Sequence, residues 1–325
     1  MAFRLKLVPD ETNIDFFSIQ WLTAGISFFL MIASLVVALT MGLNFGIDFK
    51  GGTAIRTESS NSFDVADYRA AMSGLGLGDV SITEIFDPSF GANRHVAEVR
   101  ISPEGDAASI TPDQLNEIEA ALRVVDSDVR FAAVESVGPK VSGELIKTAF
   151  IAVGAATLGI LLYIWLRFEW QLALGAVIAL IHDVLVTVGL FSLFQIKFDL
   201  STIAALLTIL GYSVNDTVVV FDRLRETLVK DKVSPLRDVM NRVVNETLSR
   251  TVMTAVTTSL ALGAMLWLGG DVIRPFVFAM LWGVIIGTYS TVYLAKNVVL
   301  WLGVRRDWDK TSRQKKAPGP YADIP

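Results

Sequence analysis

Apolar and polar positions alternate on two scales along this chain. At the coarse scale, long uncharged runs are separated by charged stretches. Phe16 to Ile47 carries no charge, and its apolar heart, Ile26 to Leu39, predicts a first membrane span. Five more runs follow: Thr148–Leu166, Trp170–Phe194, Leu200–Phe221, Thr251–Leu268 and Pro275–Ala295. Each approaches the ~20 residues that a helix needs to cross a ~30 Å hydrocarbon layer. The first run is too long for the ~7–15-residue core of a signal peptide and follows Asp10, Glu11 and Asp15, so it reads as a permanent span.

At the fine scale, residues 48–147 change character. Charges, Pro and Gly return, and the pattern becomes that of a water-soluble domain. Gly52–Glu58 predicts a strand and Phe63–Leu75 a helix with Asp64 and Asp67 in its first turn. Val80–Phe86 and His95–Ile101 alternate as strands. Thr111-Pro112 opens a helix with Leu115, Ile118, Leu122 and Val125 on one face, and Val129–Val137 closes as a strand. The order βαββαβ is that of the ferredoxin-like split motif.

The expected architecture is therefore a polytopic α-helical membrane protein with six transmembrane helices and a ferredoxin-like α+β domain between the first two. Its parts are residues 1–47 (N-terminus and first span), 48–147 (the α+β domain), 148–303 (the remaining spans) and 304–325, a tail expected to be disordered. The loop 223–250 holds an amphipathic segment in which Leu236, Val239, Met240, Val243, Val244 and Leu248 share a face. That face fits a helix lying on the membrane surface and equally a helix packed on the protein.

Charge orients this arrangement. Arg223, Arg225, Lys230, Lys232, Arg237, Arg242 and Arg250 lie in one loop, and Arg305, Arg306, Lys310, Arg313, Lys315 and Lys316 in the tail; the short loops on the other side carry only Lys197 and Arg274. The positive-inside rule then places both termini in the cytoplasm and residues 48–147 outside it. The composition, 52% hydrophobic and 19% charged with net charge −5, gives no footprint for nucleic acid. With no cysteine and two distant histidines, His95 and His182, neither a thiolate site nor a histidine metal motif is expected.

Ionisable residues inside spans are costly and usually face a bundle interior or water. Asp216 follows Asn215 in the fourth span, and Thr208, Tyr212 and Asp216 fall at i, i+4 and i+8 on one face. The fifth span begins at Arg250 and continues with Thr254, Thr257 and Thr258; the sixth offers Tyr289, Tyr293 and Lys296. If these stripes converge they build a polar seam. A carboxylate there could pair with Arg250 or take a proton when the pair separates, the basis of a proton relay; a static ion pair between helices is the competing reading. Asp183, next to His182 in the third span, is a second protonatable site or a hydrogen-bonded clamp. Asp222 and Arg223 mark the membrane interface. An intramembrane aspartyl protease would need two carboxylates sharing a proton, and neither aspartate has the Gly-x-Gly-Asp context of that class. No catalytic residue, cofactor or enzymatic activity is expected.

Five motifs then become specific: Gly46-Ile-Asp-Phe-Lys-Gly-Gly52, Val137-Gly-Pro-Lys-Val-Ser-Gly-Glu-Leu145, His182-Asp183-Val184, Gly211-Tyr-Ser-Val-Asn-Asp-Thr-Val-Val-Val-Phe-Asp-Arg-Leu-Arg-Glu226 and Asn245-Glu-Thr-Leu-Ser-Arg-Thr251. In this order, from Phe16 to Gly303, the chain resembles the SecF family of the bacterial protein-export machinery, in the resistance-nodulation-division superfamily. The resemblance implies a bacterial inner-membrane protein that pairs with SecD, associates with SecYEG and often YajC, and uses the proton gradient to help preproteins finish crossing. It also implies that Asp216 and Arg250 take part in proton movement. One copy of the pattern "one helix, domain, five helices" is present, so a related partner would supply the second half. A small-molecule exporter of the same superfamily and a translocon subunit without proton coupling are the alternatives.

Overall fold

The computed structural model describes residues 8–9, 12–86, 94–102 and 110–304. The expected disordered tail lies outside the described residues, apart from Val304 at its start. Six membrane-length helical spans are present among the described residues. They are α1 (Gln20–Met41), α5 (Pro139–Arg167), α6 (Trp170–Leu193), α7 (Leu200–Lys230), α8 (Leu236–Leu268) and a composite sixth span. The sixth runs through α9 (Arg274–Tyr289), a π-helical segment Ser290–Ala295 and α10 (Lys296–Leu302).

Within a bilayer there is little hydrophobic drive between helices, so close backbone approach and interhelical hydrogen bonds decide the packing. Small residues permit that approach here. A side chain on Gly189 of α6 would collide with Ser34 of α1, and one on Gly283 of α9 would collide with Ile209 of α7. The helices α6, α7 and the last span form the interior, while α1, α5 and α8 turn large apolar side chains such as Phe28, Phe150 and Leu260 outward.

The loop segment 236–248 departs from one of the two readings made for it. It does not lie apart as a surface helix but forms the first turns of α8, which continues unbroken to Leu268. The reason is packing: Val239, Met240, Val243 and Val244 are buried against Val220, Phe221, Leu224 and Leu228 of α7, itself helical as far as Lys230. The apolar face finds protein rather than lipid.

Between α1 and α5 the chain builds a separate α/β unit. A short strand β1 (Asn44–Phe45) and one helical turn α2 (Ile47–Lys50) lead into β2 (Gly52–Ser59), α3 (Val65–Met72), β3 (Asp79–Ile85), β4 (His95–Ser102), α4 (Pro112–Val125) and β5 (Arg130–Val137). The four long strands form an antiparallel sheet in the order β3-β4-β2-β5, with Ile55 opposite Val99 and Val134. α3 is shorter than the 63–75 pattern because Asp64 caps its start by accepting from Ala66 N, and the chain turns at Ser73-Gly74. A reciprocal capping box between Thr111 and Gln114, with Pro112 in the first turn, starts α4. The two helices cover one face of the sheet, enclosing Ile55, Tyr68, Met72, Val99, Ile101, Ile118 and Leu122.

This unit stands on the membrane bundle through polar contacts. β1 pairs in parallel with β6 (Lys197–Phe198), just ahead of α7. Lys197 bridges to Glu98 of β4 at 3.1 Å. The Asp271 amide donates to the Phe86 carbonyl at 2.7 Å, while its carboxylate accepts from the Phe86 amide.

Candidate functional site

Two buried polar centres lie on adjacent faces of α7, one at Asp216 and one at Ser213 and Thr217. The first is built on Asp216. Its Oδ1 accepts from the Thr251 hydroxyl of α8 at 2.9 Å, while Oδ2, also buried, has no hydrogen-bond partner among the described residues. A cavity of about 170 Å³ is lined by Tyr212, Asn215, Asp216, Val219, Arg250 and the hydroxyl-bearing face Thr254, Thr257 and Thr258. The Tyr212 hydroxyl is likewise buried without a partner among the described residues. A polar cavity of this size suits water, which needs two to four polar partners. Arg250 shares the cavity, yet no ion pair within 4 Å joins it to Asp216 among the described residues.

The second centre is built on Asp183 of α6, which is fully buried together with His182. Asp183 Oδ2 accepts from Ser213 of α7 at 2.7 Å and from Ser290 of the π segment at 2.9 Å; Oδ1 meets His182 Nδ1 at 3.0 Å. Beside it, the hydroxyls of Thr217 and Thr291 share a bond of 2.8 Å. One carboxylate thus ties three spans together. Gly287 makes room for it, since a Cβ at that position would stand 3.2 Å from Ser213 and 3.5 Å from Asp183 Oδ2. His182 Nε2 has no hydrogen-bond partner among the described residues.

The polar residues of the spans therefore divide. Tyr212, Asn215, Asp216, Arg250 and Thr254 come together; His182 and Asp183 form the other centre. Thr208 joins neither: it is exposed and donates back to Ala204 O of its own helix. The stripe on the sixth span does not converge on Asp216 either. Lys296 Nζ donates to Phe16 O at 3.0 Å and to Asn297 Oδ1 at 3.1 Å, and lies 3.8 Å over the Phe17 ring. The Tyr289 hydroxyl donates to Thr23 O at 2.9 Å. The stripe keeps to one face, and that face is turned to α1 and the turn before it: Tyr293 packs edge-on against Phe16 and Asn297 reaches Gln20 O, while Ser290 and Thr291 face α6 and α7. At the basic end, Asp222 pairs with Arg167 at 2.9 Å, and Arg223 with Glu246 at 2.7 Å.

Thr251, Ser213, Ser290 and the Thr217–Thr291 pair escaped the reading of the spans. Thr251 and Ser213 sat inside quoted motifs, and the i, i+4 spacing of Ser213 and Thr217 was the available signal. Ser290 offered none, because a hydroxyl in an apolar helix commonly bonds its own preceding turn.

The described geometry matches a known family. Residues 117–305 match the family model "Protein export membrane protein SecD/SecF, C-terminal", and residues 36–62 match the "SecD/SecF GG Motif". The chain belongs to the SecD/SecF family. It is 65% identical over 324 residues to the protein translocase subunit SecF of Cereibacter sphaeroides, covering 100% of this chain and 99% of that one. Protein translocase subunit SecDF of Brucella abortus is 38% identical across 93% of this chain. The crystal structure of SecDF, a translocon-associated membrane protein from Thermus thermophilus, superposes with a TM-score of 0.79 at 33% identity over 91% of this chain. This chain spans 39% of each SecDF protein. Family membership and the six spans make it a multi-pass membrane protein of Sec-pathway protein transport.

Proposed function

We propose that this chain is the SecF-type half of a proton-driven export complex. It would pair with a SecD-type partner and act with SecYEG, and with YajC where present, late in preprotein translocation across a bacterial inner membrane. In this reading both termini face the cytoplasm. The α/β unit, read as ferredoxin-like, faces the periplasm. The strand order β3-β4-β2-β5 with helices on one face supports the ferredoxin-like reading. The relation to SecDF chains, which this chain covers only in part, supports the SecD partner.

The observation that carries the relay is the state of Asp216. One of its oxygens is held by Thr251, the other lacks a donor among the described residues, and Arg250 lines the same polar cavity without an ion pair to it there. Such a carboxylate can exchange a proton through cavity water, and its charge can bring Arg250 toward it or release it. Asp183, held by Ser213, Ser290 and His182, serves the relay as the fixed point against which α7 shifts. Each elementary charge crossing the field is worth ~2.3 kcal/mol per 100 mV, enough to bias a two-state packing of a few kcal/mol.

The test is gradient-dependent preprotein release from spheroplasts carrying Asp216→Asn, after confirming that the variant still co-purifies with its SecD-type partner. Release that no longer responds to the gradient is expected. Unchanged release would reduce Asp216 to an assembly contact.

A further inference from the structure

The Gly46–Gly52 motif has a mechanical arrangement that the proton reading leaves unexplained. Asp48, in α2, accepts through Oδ2 from the amide of Leu200, the first residue of α7, at 3.0 Å. Asp199 caps the same helix end from within, accepting from Thr202 N at 3.0 Å. The α7 N-terminus is thus closed by two carboxylates, one of them 152 residues away in sequence. Free helix N–H groups and the helix dipole both favour such carboxylates.

From Asp48 the path into the α/β unit is short and constrained. Phe49 is buried among Phe191, Phe198 and Leu206, at the outer ends of α6 and α7. Gly51 and Gly52 then take φ values of +75° and +119°, and a side chain on Gly52 would collide with the backbone of Ile101. Next comes β2, an inner strand of the sheet. Lys197, just ahead of α7, ties the neighbouring strand β4 through Glu98. A further polar attachment is at an edge: Phe86, at the end of β3, is held by Asp271 in the turn after α8.

These two attachments belong to the two helices joined by the Asp216–Thr251 hydrogen bond. α7 holds the inner part of the sheet, the turn after α8 holds its edge, and deeper in the bundle α7 and α8 meet at Asp216 and Thr251. We propose that Asp48 is a positioning residue that carries displacement of α7 against α8 into the α/β domain, tilting the domain about the Phe86–Asp271 contact. The inference rests on the relay reading of Asp216 for its driving event.

The chain has no cysteine, so labels can be placed at will. Val124 on α4 and Trp267 near the end of α8 are 86% and 85% exposed, and suit a spin-label pair as Val124→Cys and Trp267→Cys. The full chain, with a cysteine-free SecD-type partner in vesicles, is measured with and without a proton gradient, and proton uptake is followed in parallel. The expected result is a gradient-dependent change in label distance that Asp48→Ala abolishes while proton uptake persists. Asp48→Asn, which keeps an acceptor for Leu200 N, should restore the change. Lys197→Ala is the second probe and should diminish it. A normal distance change in Asp48→Ala, or an Asn variant as inert as the Ala variant, would overturn the proposal. Equal proton uptake in wild type and Asp216→Asn would instead count against the relay, so the two failures are distinguishable.

Discussion

Thr251 on α8 donates its hydroxyl to Asp216 on α7 at 2.9 Å, the one hydrogen bond that the Asp216 carboxylate receives from the protein among the described residues. Removing it by Thr251→Val leaves both carboxylate oxygens to cavity water and unlinks α7 from α8 at that level. The expected cost is ~1–3 kcal/mol of stability, the usual range for a buried group left unsatisfied. Gradient-dependent export should fall, and Thr251→Ser should recover both properties. Thermal unfolding in detergent and preprotein release read the two effects; a Val variant equal to wild type in both would show the bond to be incidental.

Asp183 is the acceptor for two serines on two different spans. Asp183→Asn keeps an acceptor oxygen in place and should retain most of the stability. Asp183→Leu strands the Ser213 and Ser290 hydroxyls and His182, and should cost ~1–3 kcal/mol or more. Gly287→Ala should act in the same direction by pressing on Ser213, since its added Cβ would stand 3.2 Å away. Detergent melting of the three variants ranks them.

Asn245, in the Asn245–Thr251 motif, has a role unrelated to protons. With Asn241 it binds the segment before α1: Asn245 Oδ1 accepts from Ile14 N at 2.9 Å, Asn245 Nδ2 donates to Ile14 O at 2.9 Å, and Asn241 Oδ1 accepts from Phe16 N at 2.9 Å. Asn245→Ala should expose residues 12–16 to protease without changing the gradient response. Limited proteolysis beside the export assay separates these outcomes, and an unchanged cleavage pattern would remove Asn245 from the strap.

The α/β domain carries its own pH dependence. Burial alone would push Asp126 up, but hydrogen bonds from Ser59, Asn61, the Asp128 amide and Tyr68 outweigh it and hold the carboxyl below its ordinary value. Burial, and then the neighbouring Asp126, push the Tyr68 phenol up. A depressed carboxylate stabilises the fold above its unfolded value of ~3.9, and that contribution is lost as pH falls through the lower folded value. A raised phenol contributes below its unfolded value of ~10 and is lost as pH climbs through the higher folded value. Hydrogen exchange of residues 55–72 in the full-length protein, corrected for intrinsic rates, should show protection flat between these limits. Asp126→Asn should lower it on the plateau; protection unchanged in that variant would show the network to be neutral.

The turn between α7 and α8 is set by Asp231, whose carboxyl is lowered to about 2 by the Ser234 amide and hydroxyl, with the Val233 amide adding to them. Asp231→Ala should loosen this turn at any pH above that value. Faster exchange of the 231–235 amides is the expected reading, and unchanged exchange would show that Pro235 alone fixes the turn.

The element order was legible because each signal was local. Charge-free runs marked the spans, and Thr111-Pro112 marked the start of α4. The site was legible only in part. Tyr212 and Asp216 share a cavity as their spacing required, and Thr254 faces it from α8, because each position depends on one helix and one neighbour. Thr208 follows the same spacing from Asp216 yet sits clear of the cavity, since helical phase gives a direction without giving the partner's extent. Ser213 and Ser290 converge on Asp183 only through the register of three helices, which no single stretch encodes. The Tyr289–Lys296 stripe shares a face as its spacing required, but that face turns to α1, a partner that helical phase does not name.

The π turn Ser290–Ala295 sets the length of the last span. The wide turn takes up one residue more than an α turn would, so a residue removed between Ser290 and Ala295 would let the span close into one regular helix without turning Lys296 away from Phe16 O. The sixth span is therefore two α-helices spliced by one wide turn: Ser290 and Thr291 in the turn hold the polar interior, while Tyr289 before it and Lys296 and Asn297 after it grip α1 and the chain's entry into the membrane. Which side chains the wide turn carries thus matters more than its length: a deletion that spares Ser290 and Thr291 should be tolerated better than one that removes either.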